Sequence, residues 1–507
     1  MSQIDTCFVW MRSLVLIASL FLLPCCGDAA PGKYFDFSVL AQDAYQKAVS
    51  LRFSEAREAL DGLRQAEPDN LMPILVENYI DFLTVFANDN GKDYRRLSKN
   101  MEPRLYKISK GDPRSPYYLY CQAEIRLQWA FLHSRFGDFL AAMSDTKQAY
   151  ALLTENQRRF PDFIANKKSL GIMHALVGNV PEEYRWTLKA LGGMGGTTEQ
   201  GLQELEAVRE YAQKQPFAFE DEALVAQAFL LAYLNNQPEN GWRILEASQL
   251  KPQTNPMAAY AMAMVAMRAG HNETAIRLLQ QAPHGDAYYP FYQRDYLLGL
   301  AKLRRLDKEA GQHLTHFVDH FKGENGLKEG YQKLAWFHLI FDNVAAYQTY
   351  ANLAKTKGAT HTEPDKAAFR EAKSGEQPEK RLLQARLLFD GGYYQRASDL
   401  IHSLRQTYAH NPKQQLEFTY RMGRISHKLG KTQEAVRYYQ QTIDEGARRP
   451  WYFACNAALQ LGLLQEEKKA YQDARNAYLR CIDLKPEAYA GGLHAQAKAG
   501  LGRIKGK

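Results

Sequence analysis

Three histidines have a spacing that could bind a metal. His313, His316 and His320 follow one another at i, i+3 and i+7. On a helix that spacing puts three imidazoles on one face, a donor set suited to zinc or copper. Leu314 and Phe317 mark a different, packing side of the same segment, so a solvated stripe accounts for the pattern equally well. No Glu stands at HExxH spacing, which leaves metalloprotease chemistry without a base. A second stretch, Gly192 to Thr198, reads GGMGGTT. Consecutive backbone N–H groups in such a loop could cradle a phosphate. A phosphate loop follows a strand and carries a Lys in the Walker position, and both are missing here. A link between helices is the plainer reading. GxSxG, paired catalytic carboxylates and a papain-type Cys context are also absent. The expectation is a non-enzymatic protein that needs no metal or cofactor.

The cysteines and the leader set the compartment. Of Cys7, Cys25, Cys26, Cys121, Cys455 and Cys481, no two have CxxC spacing, so neither a zinc knuckle nor a thioredoxin-like site is expected. From Met11 the chain reads MRSLVLIASLFLLPCCG. One Arg, an apolar run from Leu14 to Leu23 and then small residues make the three-part pattern of a secretory signal. The run is short for a membrane-spanning helix. Its end resembles a bacterial lipobox. Cys26 has Leu23 three residues before it and is the favoured lipidation site. Cys25 has Leu22 at that distance, but the rigid Pro24 would then stand at the cleavage position. The alternative is ordinary cleavage after Ala29, giving a soluble periplasmic protein. Residues 1–29 are thus a signal peptide and lipobox region, and export removes cytosolic ATP and nucleic acid as partners. The formal charge of +8 is spread over 507 residues without a Lys/Arg block, which agrees.

The elements that must position these groups are helices. Hydrophobic residues make up 46% of the chain and charged residues 24%, an ordinary globular balance. Beyond Gly32 the apolar periodicity is helical almost throughout, which argues against strand-rich folds. The pattern also repeats. Gly423, Ala435 and Tyr439 align with Gly462, Ala474 and Tyr478, each pair 39 apart. Thr442 and Cys481 follow three residues later, and Pro486 ends the second unit. This spacing resembles the tetratricopeptide repeat: a small residue in the first helix and an Ala in the second let the pair approach, while an aromatic fills the groove. Similar patterns occur at Ala44 with Phe53, Ala56, Leu60 and Leu63; at Ala263 with Gly270, Ala275 and Leu279; at Gly299 with Ala310, Leu314 and Phe317; and at Ala385 with Gly392, Ala397 and Ile401. The segment SLGIMHALVGNVPEEYRWTLKALGGMGGTTEQGLQELE resembles the tetratricopeptide repeat protein 39 family. As a whole the chain resembles exported tetratricopeptide lipoproteins of the Bacteroidota type.

That resemblance implies an all-α fold, an α-solenoid of helix hairpins wound as a right-handed superhelix, because one hairpin cannot bury its apolar face alone. It divides the chain into an N-terminal solenoid at 33–354, a polar linker or loop at 355–380 and a C-terminal array at 381–507. In the family register Tyr260, Met264 and Met267 project toward the concave groove, or else pack against the next hairpin. Tyr420, Arg424 and His427 project likewise, and Arg386 and Phe389 hold equivalent positions one unit earlier. Arg386, Arg424 and Leu463 stand where a carboxylate clamp of the family would have Asn, so a general acidic partner is expected rather than a clamped C-terminus. The register also brings Cys455 near Cys481, either as a disulfide or as two small packing residues. The implied function is an outer-membrane lipoprotein facing the periplasm, a scaffold binding a protein or extended peptide in its concave face. The alternative is a glycan- or nutrient-binding lipoprotein beside an outer-membrane transporter.

Overall fold

A computed structural model describes residues 32–178 and 193–506. The leader with Cys25 and Cys26, and Gly192 of the glycine-rich stretch, lie outside the described residues. Within them the protein is an all-α solenoid of antiparallel hairpins, with one isolated bridge between Tyr34 and Asn70 as its only extended pairing. The first hairpin is α1 (Val39–Val49) and α2 (Phe53–Ala66). Then come α3 (Met72–Asn88) with the short α4 (Gly91–Leu97) and α5 (Met101–Ile108), and the long pair α6 (Pro116–Arg135) and α7 (Phe139–Arg159). Next are α8 (Ala165–Gly178) with α9 (Thr198–Ala212), and α10 (Glu220–Phe229) with α11 (Pro238–Glu246). Three regular hairpins follow: α12 (Pro256–Ala269) with α13 (Asn272–Gln281), α14 (Gln293–Arg304) with α15 (Ala310–His320), and α16 (Leu327–Ile340) with α17 (Val344–Thr356). A single helix, α18 (Glu363–Ser374), precedes the last pairs: α19 (Lys380–Asp390) with α20 (Tyr394–Ile401), α21 (Pro412–Lys428) with α22 (Thr432–Gly446), and α23 (Phe453–Glu467) with α24 (Tyr471–Asp483). The closing helix is α25 (Ala490–Arg503).

Local chemistry sets where these helices start. Ser115, Asn255 and Asn411 accept hydrogen bonds from first-turn N–H groups of α6, α12 and α21, and each is followed by a Pro that needs no partner for its nitrogen. Within hairpins the close approach depends on small residues. A Cβ on Gly423 would lie 2.8 Å from the Tyr439 ring, and one on Gly462 would lie 2.5 Å from the Tyr478 ring. Ala435, Ala474 and both tyrosines are fully buried, which is the packing that the 39-residue spacing predicts.

Inside the polar tract, Thr362 caps α18, and the buried Asp365 accepts hydrogen bonds from the backbone N–H groups of Gly326 (2.7 Å) and Glu329 (3.1 Å). Glu371 accepts from the Trp336 indole at 2.7 Å and from Gln332 at 2.9 Å. Residues 363–374 are therefore fastened to the N-terminal end and inner side of α16.

Two seams join hairpins that lie far apart in sequence. In the first seam, Asp89 is fully buried at the end of α3 and takes Arg135 Nε at 2.6 Å and the Asn325 backbone N–H at 3.1 Å. The Glu324 N–H donates to the Asp89 carbonyl at 3.1 Å, and Asn325 Nδ2 donates to the Arg135 carbonyl at 3.3 Å. Tyr289 joins the same seam, its ring 5.0 Å from that of Phe53 and its N–H on the Leu51 carbonyl at 2.7 Å. The second seam joins residues about 120 apart in sequence: Asn272 Nδ2 donates to the Tyr393 hydroxyl at 3.0 Å, which itself donates to Glu273 at 2.7 Å. No described helix is long and apolar enough to cross a membrane.

Candidate functional site

The first helix of each hairpin contacts the first helix of the next, so these helices form one continuous layer. In the N-terminal half that layer curves inward until five of its members meet. Lys168 of α8 donates to Glu124 of α6 and to Glu222 of α10, both at 2.8 Å. Ser169 also donates to Glu124. Tyr45 of α1 and Tyr79 of α3 donate to Glu222 at 2.5 and 3.1 Å. Tyr120 and Phe219 fill the remaining space, with the Lys168 ammonium 5.8 and 5.0 Å from their ring centres. Burial opposes the charge on Lys168, but the two carboxylates outweigh it and hold the ammonium well above the usual lysine value. This interior is filled by its own side chains.

The C-terminal half stays open. Its first-helix layer carries two arginines that lie on aromatic rings, one with a long ion pair and one with none among the described residues. Arg386 of α19 sits 4.8 Å from the centre of the Trp336 ring, whose other cation is Lys333 at 4.1 Å. Its nearest acid, Asp390, is 3.8 Å away, and the Arg386 side chain is 39% exposed. Arg424 of α21 lies 4.7 Å from the Phe389 ring and donates to the Tyr420 hydroxyl at 2.8 Å. Ring stacking fixes each guanidinium while leaving N–H donors unspent. Tyr452 and Tyr489 form the far wall with ring centres 5.1 Å apart, and Arg370 of α18 stands 5.1 Å from the Tyr489 ring. Beyond Arg424 is Lys428. Lost hydration, Arg424 and the Arg268 guanidinium from α12 lower its ammonium below the ordinary lysine range.

Several sequence-derived positions meet in this concavity. Arg386, Phe389 and Arg424 face it as a set. Tyr420 is buried behind them, and its hydroxyl orients Arg424. His427 is pinned between the Tyr439 hydroxyl (3.2 Å) and Glu467 (3.5 Å). Tyr260 packs on Phe291 at 5.0 Å, and burial pushes its phenol up to about 12. Met264 is half-buried near it, while Met267 is in the core of its hairpin. Trp336, Arg370, Tyr452 and Tyr489 escaped sequence reasoning. Trp336 belongs to the most degenerate repeat, and the other three lie in or beside inter-repeat connections, where no register applies.

The remaining candidates sit elsewhere. His316 and His320 stack with each other at 4.3 Å and with Tyr292, while His320 Nδ1 engages the His316 carbonyl at 2.9 Å. Burial lowers the half-buried His313 imidazole. Among the described residues, no group of three or more His, Cys, Asp or Glu is placed to hold a metal ion. In the glycine-rich stretch, Thr197 accepts from the Gln200 N–H and caps α9, so it serves a helix start. Cys455 and Cys481 are buried with their sulfurs 3.7 Å apart.

No known family profile matches the chain, and no curated protein matches it. Solved structures do. The tetratricopeptide repeat domain of P58(IPK) aligns at 14% identity over 85% of this chain and 99% of its own, with a TM-score of 0.21. The APC/C hetero-tetramer Cut9–Hcn1 aligns at 10% identity over 93% and 94%, with a TM-score of 0.29. A monomeric mutant of IFIT1 with m7Gppp-AAAA aligns at 13% identity over 83% and 90%, with a TM-score of 0.27. The tetratricopeptide-like character of the fold is carried by the hairpins of this chain: Gly423 against Tyr439, Gly462 against Tyr478, and a continuous layer of first helices.

Proposed function

We propose that the protein is a non-enzymatic scaffold that holds an extended, acidic segment of a partner protein in the concave face of its C-terminal half. The observation that carries this reading is the pair Arg386 and Arg424, each laid on an aromatic ring, with Arg424 free of any ion pair among the described residues and Arg386 held only by a long pair to Asp390 at 3.8 Å. Such forks suit carboxylates presented in series on an extended chain. The filled interior around Lys168 supports the same half of the molecule as the binding half. The leader supports a place in the envelope, with Cys26 as a lipid anchor and the solenoid on the periplasmic side of the outer membrane. A thioether-linked diacylglycerol plus an amide-linked acyl chain is enough for stable attachment.

The test combines cross-linking in the native envelope with titration of the recovered partner segment. Both arginines are half-buried, so the double variant Arg386→Glu with Arg424→Glu is first matched to the parent in its unfolding midpoint, and the milder pair Arg386→Gln with Arg424→Gln is titrated beside it. The charge-reversed variant should bind at least about tenfold more weakly at low salt. Equal affinity of variant and parent would remove the groove from the reading. Titration of neutral glycans against the same protein tests the sugar-binding alternative. Mass spectrometry of the mature N-terminus tests the anchor, and an unmodified chain starting at Ala30 would remove it.

A further inference from the structure

Among the described residues there are three cysteines, and two of them meet. Cys455 is the third residue of α23, and Cys481 is two residues from the end of α24, so the antiparallel hairpin brings those positions level. Their sulfurs are 3.7 Å apart in a site closed to solvent. Cys481 also approaches the Leu493 carbonyl in α25 (3.8 Å), so the pair sits where the last three helices join. Cys121 is far away in α6, with its sulfur 3.8 Å from that of Met72, and has no cysteine partner.

We infer that Cys455 and Cys481 are a dithiol that closes to a disulfide across the last hairpin when a small or protein disulfide is offered as oxidant. The two thiols are chemically unequal. Cys455 lies in the first turn of α23, where the free N–H groups favour a thiolate, and the hydrogen bond from Cys481 lowers it further. The same contact, together with burial, raises Cys481. Either sulfur can attack first with the same product, because the Cys455 thiol also reaches the Cys481 carbonyl at 3.4 Å; with Cys455 first the exchange runs in two steps. The Cys455 thiolate displaces one thiolate from the oxidant and forms a mixed disulfide. Cys481 then loses its proton and attacks the Cys455 sulfur, releasing the second thiolate. The two protons end on the two thiols of the reduced oxidant, and two electrons have left the cysteine pair. Because both sulfurs are shut away, exchange takes place when α24 opens from α23, and the closed bond then opposes that opening. The chemistry is independent of compartment. Only its occurrence in the cell rests on the export proposed above.

The experiment uses the full chain, reduced and then equilibrated with glutathione disulfide, quenched with an alkylating agent and mapped by mass spectrometry. The expected product is a peptide linking Cys455 to Cys481, with Cys121 alkylated only after unfolding. Hydrogen exchange across Tyr471–Asp483 should slow on the order of tenfold or more in the oxidised protein. The Cys455→Ser variant should show no such response to oxidant. Recovery of both cysteines as glutathione adducts or as free thiols, or of a link to Cys121, would overturn the assignment. Material taken directly from cells separates the two ideas. A pair that closes with glutathione disulfide but is recovered reduced from cells leaves the dithiol standing and shows that the bond is not formed in the native compartment, while the export proposal is decided separately by the mature N-terminus.

Discussion

Replacing Asp89 by Ala should open the first seam, and the structure sets the size of the effect. The Asn325 N–H is buried and donates to Asp89, so its loss of a partner costs about 2 kcal/mol. Asp89 has φ of 49°, a left-handed conformation that Asp tolerates better than Ala, worth about 1 kcal/mol more. Arg135 loses its carboxylate, but its side chain is 26% exposed, so that term is discounted to about 1–2 kcal/mol. Against these stands the burial that raises the Asp89 carboxyl, whose removal returns about 1 kcal/mol. The sum is about 3–4 kcal/mol. Native-state hydrogen exchange is the assay, because a solenoid loses stability locally. Exchange at Phe321–Gly326 and at the end of α3 should accelerate by about two to three orders of magnitude, since each 1.36 kcal/mol is tenfold. Helices α21–α24 should be unaffected. Asp89→Asn keeps an acceptor and the left-handed tolerance, so it should lose less than half as much. An Ala variant with unchanged exchange at the seam, or with loss spread evenly to α24, would refute the account of a local clasp.

Three further outcomes follow from other sites. Gly462→Ala should destabilise the last hairpins by about 1–3 kcal/mol in urea unfolding, because the new methyl would lie 2.5 Å from the Tyr478 ring; Gly491→Ala, with nothing within 4 Å, is the silent control. Lys168→Met strands Glu124 and Glu222, so calorimetry should show a loss of about 3–5 kcal/mol. Partner binding should weaken as pH rises above neutral, before ordinary lysines titrate, because Lys428 has a lowered pKa and loses its charge first. The fold favours neutral Lys428, so its contribution to stability grows over the same window, opposite in sign to the loss of affinity; a Lys428→Met variant should lose this early fall in affinity.

Much of the fold was legible because its cause is local. Gly423 and Gly462, with their tyrosines 16 residues on, report a hairpin contact that any chain of this spacing must make. The seams were not legible. Asp89 and Asn325 are 236 residues apart, and their pairing depends on how many small rotations accumulate between hairpins. The same holds for the candidate site. Arg386 and Arg424 could be read from register, one repeat apart. Their rings come from less regular places: Trp336 from a degenerate repeat, and Tyr452 and Tyr489 from connections. The polar tract is readable as a loop with one short helix, but the docking of that helix at Glu363–Ser374 was hidden, because it buries a carboxylate, Asp365, that is satisfied by N–H groups of another segment. A polar composition looks alike whether the polar groups meet water or a distant backbone.

The filled interior around Lys168 also bears on mechanics. Five inner helices tied through one ammonium and two carboxylates cannot slide past one another without separating buried charges, so the N-terminal half is stiff. The units from α19 onward are tied in smaller groups, as where Glu466 of α23 takes Arg503 of α25 and Tyr478 of α24, so hinge rotation between α19, α21 and α23 should separate fewer buried charges. A load applied between the chain's ends will therefore be taken up almost wholly in the C-terminal units. The curvature of the arginine-lined groove should change with tension, and the grip on a bound segment should depend on whether the molecule is slack or stretched.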